Sequence, residues 1–414
     1  FKSFSEVSEG LVVVLAIGDV RTERRAAWFI ARVVSTGSVV LRQIGQDRAG
    51  EVAAHRFLSS RYVSAETVSG TLAARTAEQC AGRHVVVVQD TTEISFSGAS
   101  HKHKGFGPAG NGKDPGFFIH PVIAVDVAHE AVIGLVDINI WTRAKTRVAD
   151  RTKRPLENKE SARWLNGCVV AAKALNRCAS VTMIADRESD IYELFFHCPQ
   201  KLHLIVRAGQ NRALADGELL FDVLGKAKPI AHQEVKVAPR GPGDKGRLAA
   251  VEIKCGRVRI KKPSRLSREH ADIELTLVEV KEPKVPKGKT ALCWRLLTTH
   301  PVETAEEAAA VVQLYRLRWR IEQAFRALKS DGMRLEESQV TGCDRMFALA
   351  AIAMAAAVRT IQLVDARDGG PRTPLPHLER GRGGHAAHRQ RAGRPDGSRT
   401  PRERRHRPVR ASHL

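Results

Sequence analysis

A chain of 414 residues, 43% hydrophobic and 27% charged, has an ordinary globular balance and room for two or three domains with a buried core. Its formal net charge of +22 points to a polyanionic partner, most simply nucleic acid, with a membrane surface the weaker alternative. No apolar run approaches the roughly 20 residues of a spanning helix. The seven cysteines, an odd number with no CxxC pair, read as a reduced, cytoplasmic protein without structural zinc.

The chain begins at Phe1, so its true start is expected upstream. "LVVVLAI" (11–17) is too short and lacks the cleavage pattern of a signal peptide. Residues 1–75 read as a small helical domain. In "GDVRTERRAAWFIARVV", Arg21, Arg24 and Arg25 fall in one turn, with Arg21 and Arg25 on one face. That face is either a solvated helix start or a phosphate contact. "HVVVVQDTT" predicts a buried strand ending at Asp90. "HKHKGFGPAGNGKDPG" (101–116) is a Gly- and Lys-rich loop without the GxxxxGK[ST] pattern of a nucleotide site. "GFFIHPVIAVDV" and "AVIGLVDINIW" predict two more strands joined by a short turn.

A helix over 157–177 is expected to precede "SVTMIADRESD", a strand ending at Asp186. Residues 202–299 look β-rich, with "LHLIVRAG", "VEIKCGRVRI", "IELTLVEV" and "LCWRLLTT" as candidate strands. A helix follows from about residue 303, and an alanine-rich apolar helix covers about 343–364. From residue 366 the chain has no lysine and almost no large apolar residues, with thirteen arginines against four acids. It reads as disordered, either a basic nucleic-acid-binding tail or the product of translation out of frame, and the abrupt break favours the latter.

The stretch "YRLRWRIEQAFRALK" (315–329) carries the most information. On a helix turning about 100° per residue, Tyr315, Arg318, Glu322 and Lys329 share a stripe roughly 60° wide. Leu314, Leu317, Ile321, Phe325 and Leu328 fall together to one side of that stripe, on the face read as core. Alone, the stripe reads as a solvated charged face with an i,i+4 Arg–Glu pair. Asp90 and Asp186, each alone, read as turn or cap residues. Their joint order is more specific: three strands, a helix, a strand ending in Asp, a β-rich segment, and a late helix with Glu322. It is the order of a ribonuclease-H-like α/β fold with a β-rich insertion. Three carboxylates on rigid elements suit hard, oxygen-seeking divalent ions.

These residues resemble those of the bacterial insertion-sequence DDE transposases with the YREK signature, the cut-and-paste class of the Tn-five-type transposase. Tyr315, Arg318, Glu322 and Lys329 meet the signature spacing. "QDTT" (89–92) and "DRESDIY" (186–192) look like the blocks around its first and second aspartates. "GDVRTERRA" and "AAHRFLSSRYVSAETV" (53–68) resemble its N-terminal DNA-binding domain. The likeness spans about 15–365. It does not extend to the arginine-rich end, where that family has a helical dimerisation region.

The resemblance implies a helical DNA-binding domain over 1–75 and a ribonuclease-H-like core over 76–200 and 301–365. The insertion and returning strand then occupy 201–300, and the tail 366–414. It implies that Asp90, Asp186 and Glu322 bind two Mg2+ or Mn2+ ions. Tyr315, Arg318 and Lys329 would grip phosphates at the transposon end. Trp294 would stack near a flipped base during hairpin formation, and Arg187, Arg207, Arg21 and Arg25 would contact DNA. The implied protein is a bacterial, nucleoid-associated homodimer on paired double-stranded ends, free of membranes. Two rivals stand beside it: a truncated remnant that only binds DNA, and a ribonuclease-H-like nuclease without strand transfer. The Tyr–Arg–Lys stripe, which simple hydrolysis does not need, weighs against the nuclease.

Overall fold

Among the described residues the first helix is α1 (Val20–Thr36): the Asp19 carboxylate caps it, accepting from Thr22 N at 3.0 Å, and it ends at Gly37 in the left-handed conformation. α2 (Leu41–Gly45), α3 (Arg48–Leu58) and α4 (Ala65–Cys80) follow, α3 and α4 capped by Asp47 and Ser64. The computed structural model describes residues 15, 17–96, 105–110, 112–144, 156–237, 246–329 and 332–367. The expectation of a disordered or out-of-frame tail therefore lies, from residue 368 on, outside the described residues.

The four expected core strands are present: β1 (His84–Gln89), then, after β2 (Thr92–Ser95) and β3 (Gly107–Ala109), β4 (Asp114–Asp126) and β5 (Ala131–Trp141), and, after α5 (Ala162–Ala174), β6 (Ser180–Ala185). The short β2 and β3 were not expected. β3 and the start of β4 put the second half of the Gly- and Lys-rich stretch into the sheet, at Gly107↔Gly116 and Ala109↔Asp114. Beyond a short α6 (Tyr192–Phe196) come β7 (His203–Arg207), β8 (Ala231–Val237), β9 (Arg247–Ile260), β10 (Ile273–Lys281) and β11 (Cys293–Thr298). β8 carries few large apolar residues, and no strand was expected there.

All these strands join one sheet. β4 meets β1 on one edge and β5 on the other, both antiparallel, while β6 pairs parallel to β1, and β7 parallel to β6. The order β5-β4-β1-β6-β7 is consistent with a ribonuclease-H-like core. The β-rich segment does not form a separate layer: β11 pairs antiparallel with β7, and β10, β9 and β8 continue the same sheet.

Strand alternation divides the core into two faces. Val86 and Val88 pack with α1–α4 and the later helices; Val85 and Val87 pack with α5 and α6. The last helices are α7 (Ala305–Arg316), α8 (Trp319–Leu328) and α9 (Cys343–Arg367). α9 corrects the expectation that no run reaches spanning length: by length and composition it does. However, 72% of its apolar window is buried within the fold, the pattern of a core helix apolar on all sides.

Candidate active site

β1 and β6 run in parallel register with Val88 beside Ile184. Two residues further along each strand come Asp90 and Asp186, so both aspartates leave the same edge of the sheet at the ends of neighbouring strands. Neighbouring strands are roughly 4.8 Å apart. Burial pushes the Asp90 carboxyl up to about 7, and the negative charge of Asp186 acts in the same direction. The Thr91 N–H, donating to Asp90 Oδ1 at 2.7 Å, and the Arg318 charge oppose that rise.

Asp186 also caps the 3-10 turn Arg187–Ser189, accepting from Glu188 N at 2.9 Å through Oδ1. The turn is anchored from beneath. Asp190, 1% exposed, accepts from Gly209 N at 2.8 Å and Gln210 N at 3.0 Å and is paired with Arg212. The end of β7 is thereby tied to the loop carrying the second aspartate.

The third acid arrives differently from expectation. Residues 315–329 are not one continuous helix. α7 ends at Arg316, and Leu317 and Arg318 form a turn before α8 begins at Trp319. Hydrogen bonds there tighten to i→i−3: Leu317 N to Leu314 O, Arg318 N to Tyr315 O, Arg320 N to Leu317 O and Ile321 N to Arg318 O. No proline or glycine marks the break. It is stabilised by burial, with Tyr315, Leu317 and Ile321 all in the core. The polar stripe is therefore corrected at Tyr315, whose ring is 3% exposed and meets Trp294 of β11 edge-to-face at 5.2 Å. Its hydroxyl is buried, next to the Arg318 guanidinium. Leu314 and Phe325, expected in the core, are only half-buried.

Arg318 connects the acids. Its Nη1 lies 3.4 Å from Asp90 Oδ2, and its Nη2 donates to Glu322 Oε1. Lys329 closes α8 and lies 3.8 Å from Glu336. Arg207, at the end of β7, donates to Cys293 O at 3.0 Å. Burial lowers its pKa, and the charges of Arg187 and Arg318 lower it further. Three arginines thus crowd the mouth of the acidic pair. Arg187 is exposed, as are Arg21 and Arg25 on α1, away from these acids in the chain.

The donor set suits a hard divalent cation: three carboxylates, of which Asp186 Oδ2 and Glu322 Oε2 have no hydrogen-bond partner among the described residues. Among those residues no three potential ligands are gathered closely enough to cage an ion, because Arg318 fills the gap between Asp90 and Glu322. Sequence reasoning missed Arg163, at the start of α5. It donates to Thr91 Oγ1 at 2.8 Å and pairs with Glu188 at 3.0 Å. It also missed the buried His120 and Gln89 behind Thr91. No local spacing marks contacts made across dozens of residues.

A family model described as the transposase DDE domain matches residues 81–359, more than half of the chain, and its span takes in Asp90, Asp186 and Glu322. Such enzymes act on DNA in transposition and generally use divalent metal ions. With that match added to the sheet order and the placement of the acids, the chain belongs to the DDE transposase domain family.

Proposed function

We propose that this chain is a cut-and-paste DNA transposase of the YREK class, with Asp90, Asp186 and Glu322 as its catalytic acids. The observation that carries the reading is the level exit of Asp90 and Asp186 from adjacent parallel strands, with Glu322 paired to the same arginine that faces Asp90. The three carboxylates would hold two magnesium or manganese ions. Bound there, such ions supply Lewis acidity to the attacking water or hydroxyl and offset charge on the leaving oxygen.

The chain's own side chains do the rest. Arg318 has two alternative partners, the acids it now holds and a DNA phosphate, and its planar guanidinium suits either. Lys329, Arg187 and Arg207 add positive charge around the same edge. The Tyr315 hydroxyl, buried beside the Arg318 guanidinium, would donate to a phosphate oxygen only once DNA draws Arg318 away from the acids, and the half-buried Trp294 against it offers a face on which an unpaired base can stack. Arg21 and Arg25 on α1 are exposed for end-specific phosphate contacts.

The reaction sequence is a series of in-line phosphoryl transfers at one site. Water cuts one strand at the transposon end, the freed 3′-hydroxyl attacks the opposite strand to form a hairpin, a second water opens it, and the 3′-end joins target DNA. Paired ends call for a homodimer, each subunit cutting the end bound by the other. The test is a gel assay with labelled DNA carrying the element's ends, target plasmid and Mg2+ or Mn2+. Hairpin and joined products are expected. Nicks alone, with no hairpin and no joining at any time point, would reduce the chain to a nuclease.

A further inference from the structure

The two aspartate-bearing strand ends are linked by side chains as well as by the sheet. Arg163 Nε donates to Thr91 Oγ1 at 2.8 Å, and Thr91 follows Asp90 directly. Arg163 Nη2 reaches Glu188 Oε2 at 3.0 Å, two residues past Asp186. Its Nη1 donates to Glu160 O at 2.8 Å, and its guanidinium lies over Trp141 and Trp164 at 5.6 and 5.1 Å. The side chain is only 12% exposed. A long, flexible residue is thereby fixed in one conformation.

The chain of bonds continues inward with a single consistent direction. Gln89 Nε2 donates to Trp164 O at 3.2 Å, so Gln89 Oε1 is an acceptor. His120 Nε2, 3.1 Å from that oxygen, must carry the proton. Burial lowers the His120 pKa to about 3, so the ring is neutral and Nδ1 accepts. Thr91 Oγ1, 2.9 Å from Nδ1, therefore gives its proton to His120 and uses its lone pair for Arg163. Gly167 of α5 makes room for this: a Cβ there would stand 2.3 Å from Gln89 Oε1. Both neighbours of Asp90 in sequence, Gln89 and Thr91, are locked by this one network.

Resting on the reading of Asp90 and Asp186 as metal-binding acids, we propose that Arg163 is a positioning residue. It clamps the segment after β1 to the segment after β6 through Thr91 and Glu188, so that the two carboxylates project from one rigid edge. It touches neither DNA nor the reacting atoms in this role. Groups that orient ligating side chains typically alter metal affinity by about 10- to 100-fold when removed.

The experiment measures Mn2+ binding to the full chain by titration calorimetry and by loss of free-ion paramagnetic signal, without DNA, for wild type, Arg163→Lys, Thr91→Val, the double variant and Asp90→Asn. Arg163→Lys keeps the charge but cannot make both bonds in one plane. Thr91→Val keeps the shape and loses the hydroxyl. Each is expected to weaken Mn2+ binding by about tenfold, and the double variant to be no weaker than the weaker single one. Glu188→Gln, at a side chain 65% exposed and so harmless to folding, is expected to weaken binding in wild type and to add nothing in Arg163→Lys.

Lowered melting temperatures with unchanged Mn2+ affinity, or fully multiplicative effects in the double variant, would overturn the proposal alone, provided Asp90→Asn abolishes binding. Mn2+ binding that survives Asp90→Asn unchanged would instead overturn the metal-site reading, and the proposal with it.

Discussion

Arg318 Nη1 stands 3.4 Å from Asp90 Oδ2 across 228 residues of chain, and the same guanidinium holds Glu322. One fixed positive charge therefore occupies the ground that the acids would share with divalent ions. Removing it should act in opposite directions on two ligands. Arg318→Ala is expected to bind Mn2+ at least as tightly as wild type in the absence of DNA. It should bind end DNA more weakly, with the salt slope of binding shallower by about one unit. Calorimetry and a binding series across salt check both. Weaker Mn2+ binding in Arg318→Ala would mean that the arginine organises the acids rather than competing for them.

Asp90 sets a pH dependence whose sign follows from its environment. An ordinary aspartate titrates near 3.9 in the unfolded chain. Here burial, with the charge of Asp186, raises the folded value to about 7. The folded state then holds the proton more tightly, so this group's contribution to stability is fully present below about pH 4 and is lost as pH rises to about 7. Asp90→Asn, which stays neutral, should melt above wild type at pH 8, with the gap closing toward pH 5. Thermal melts of both proteins across that range decide it; a gap that is constant with pH would contradict the raised value.

Asp190 is a structural anchor. Replacing it with alanine leaves Arg212 and two backbone N–H groups without their buried partner. Breaking a buried pair in this way typically costs about 3–5 kcal/mol. Chemical denaturation of Asp190→Ala should show a loss of that order. A loss below about 1 kcal/mol, the level of an exposed pair, would show that the turn after Asp186 is held by other contacts.

The sheet was largely legible in the chain. "VVVV" before Asp90 and "VTMIA" before Asp186 are continuous apolar runs, as strands buried on both faces require. Their mutual register was not legible, because nothing local in either run says which residue of the other it will face. The break at Leu317–Arg318 was invisible for a related reason. Every residue there is a fair helix former, and burial of Tyr315 against Trp294 overrides local preference. Arg163 and His120 were missed because their partners lie far away in sequence: Thr91 is 72 residues before Arg163 and 29 before His120. Asp90 and Asp186 stood out only because each ends a strand.

If the proposed hairpin route holds, Trp294 is expected to separate hairpin chemistry from simple nicking. It is half-buried, with one side against Tyr315. Trp294→Ala should leave the first nick measurable and depress the hairpin, because a base–aromatic stack is worth about 1–3 kcal/mol. Time courses of both products on one gel provide the comparison. Nick and hairpin yields falling in parallel would assign Trp294 to packing alone.

The most direct measurement of the central claim is metal-dependent cleavage of end DNA by Asp90→Ala, Asp186→Ala and Glu322→Ala beside wild type, with DNA binding recorded on the same preparations. Each substitution is expected to abolish nicking in Mg2+ and in Mn2+ while leaving DNA binding largely intact. Full cleavage by any one of the three would remove that residue from the catalytic set and contradict the three-acid site.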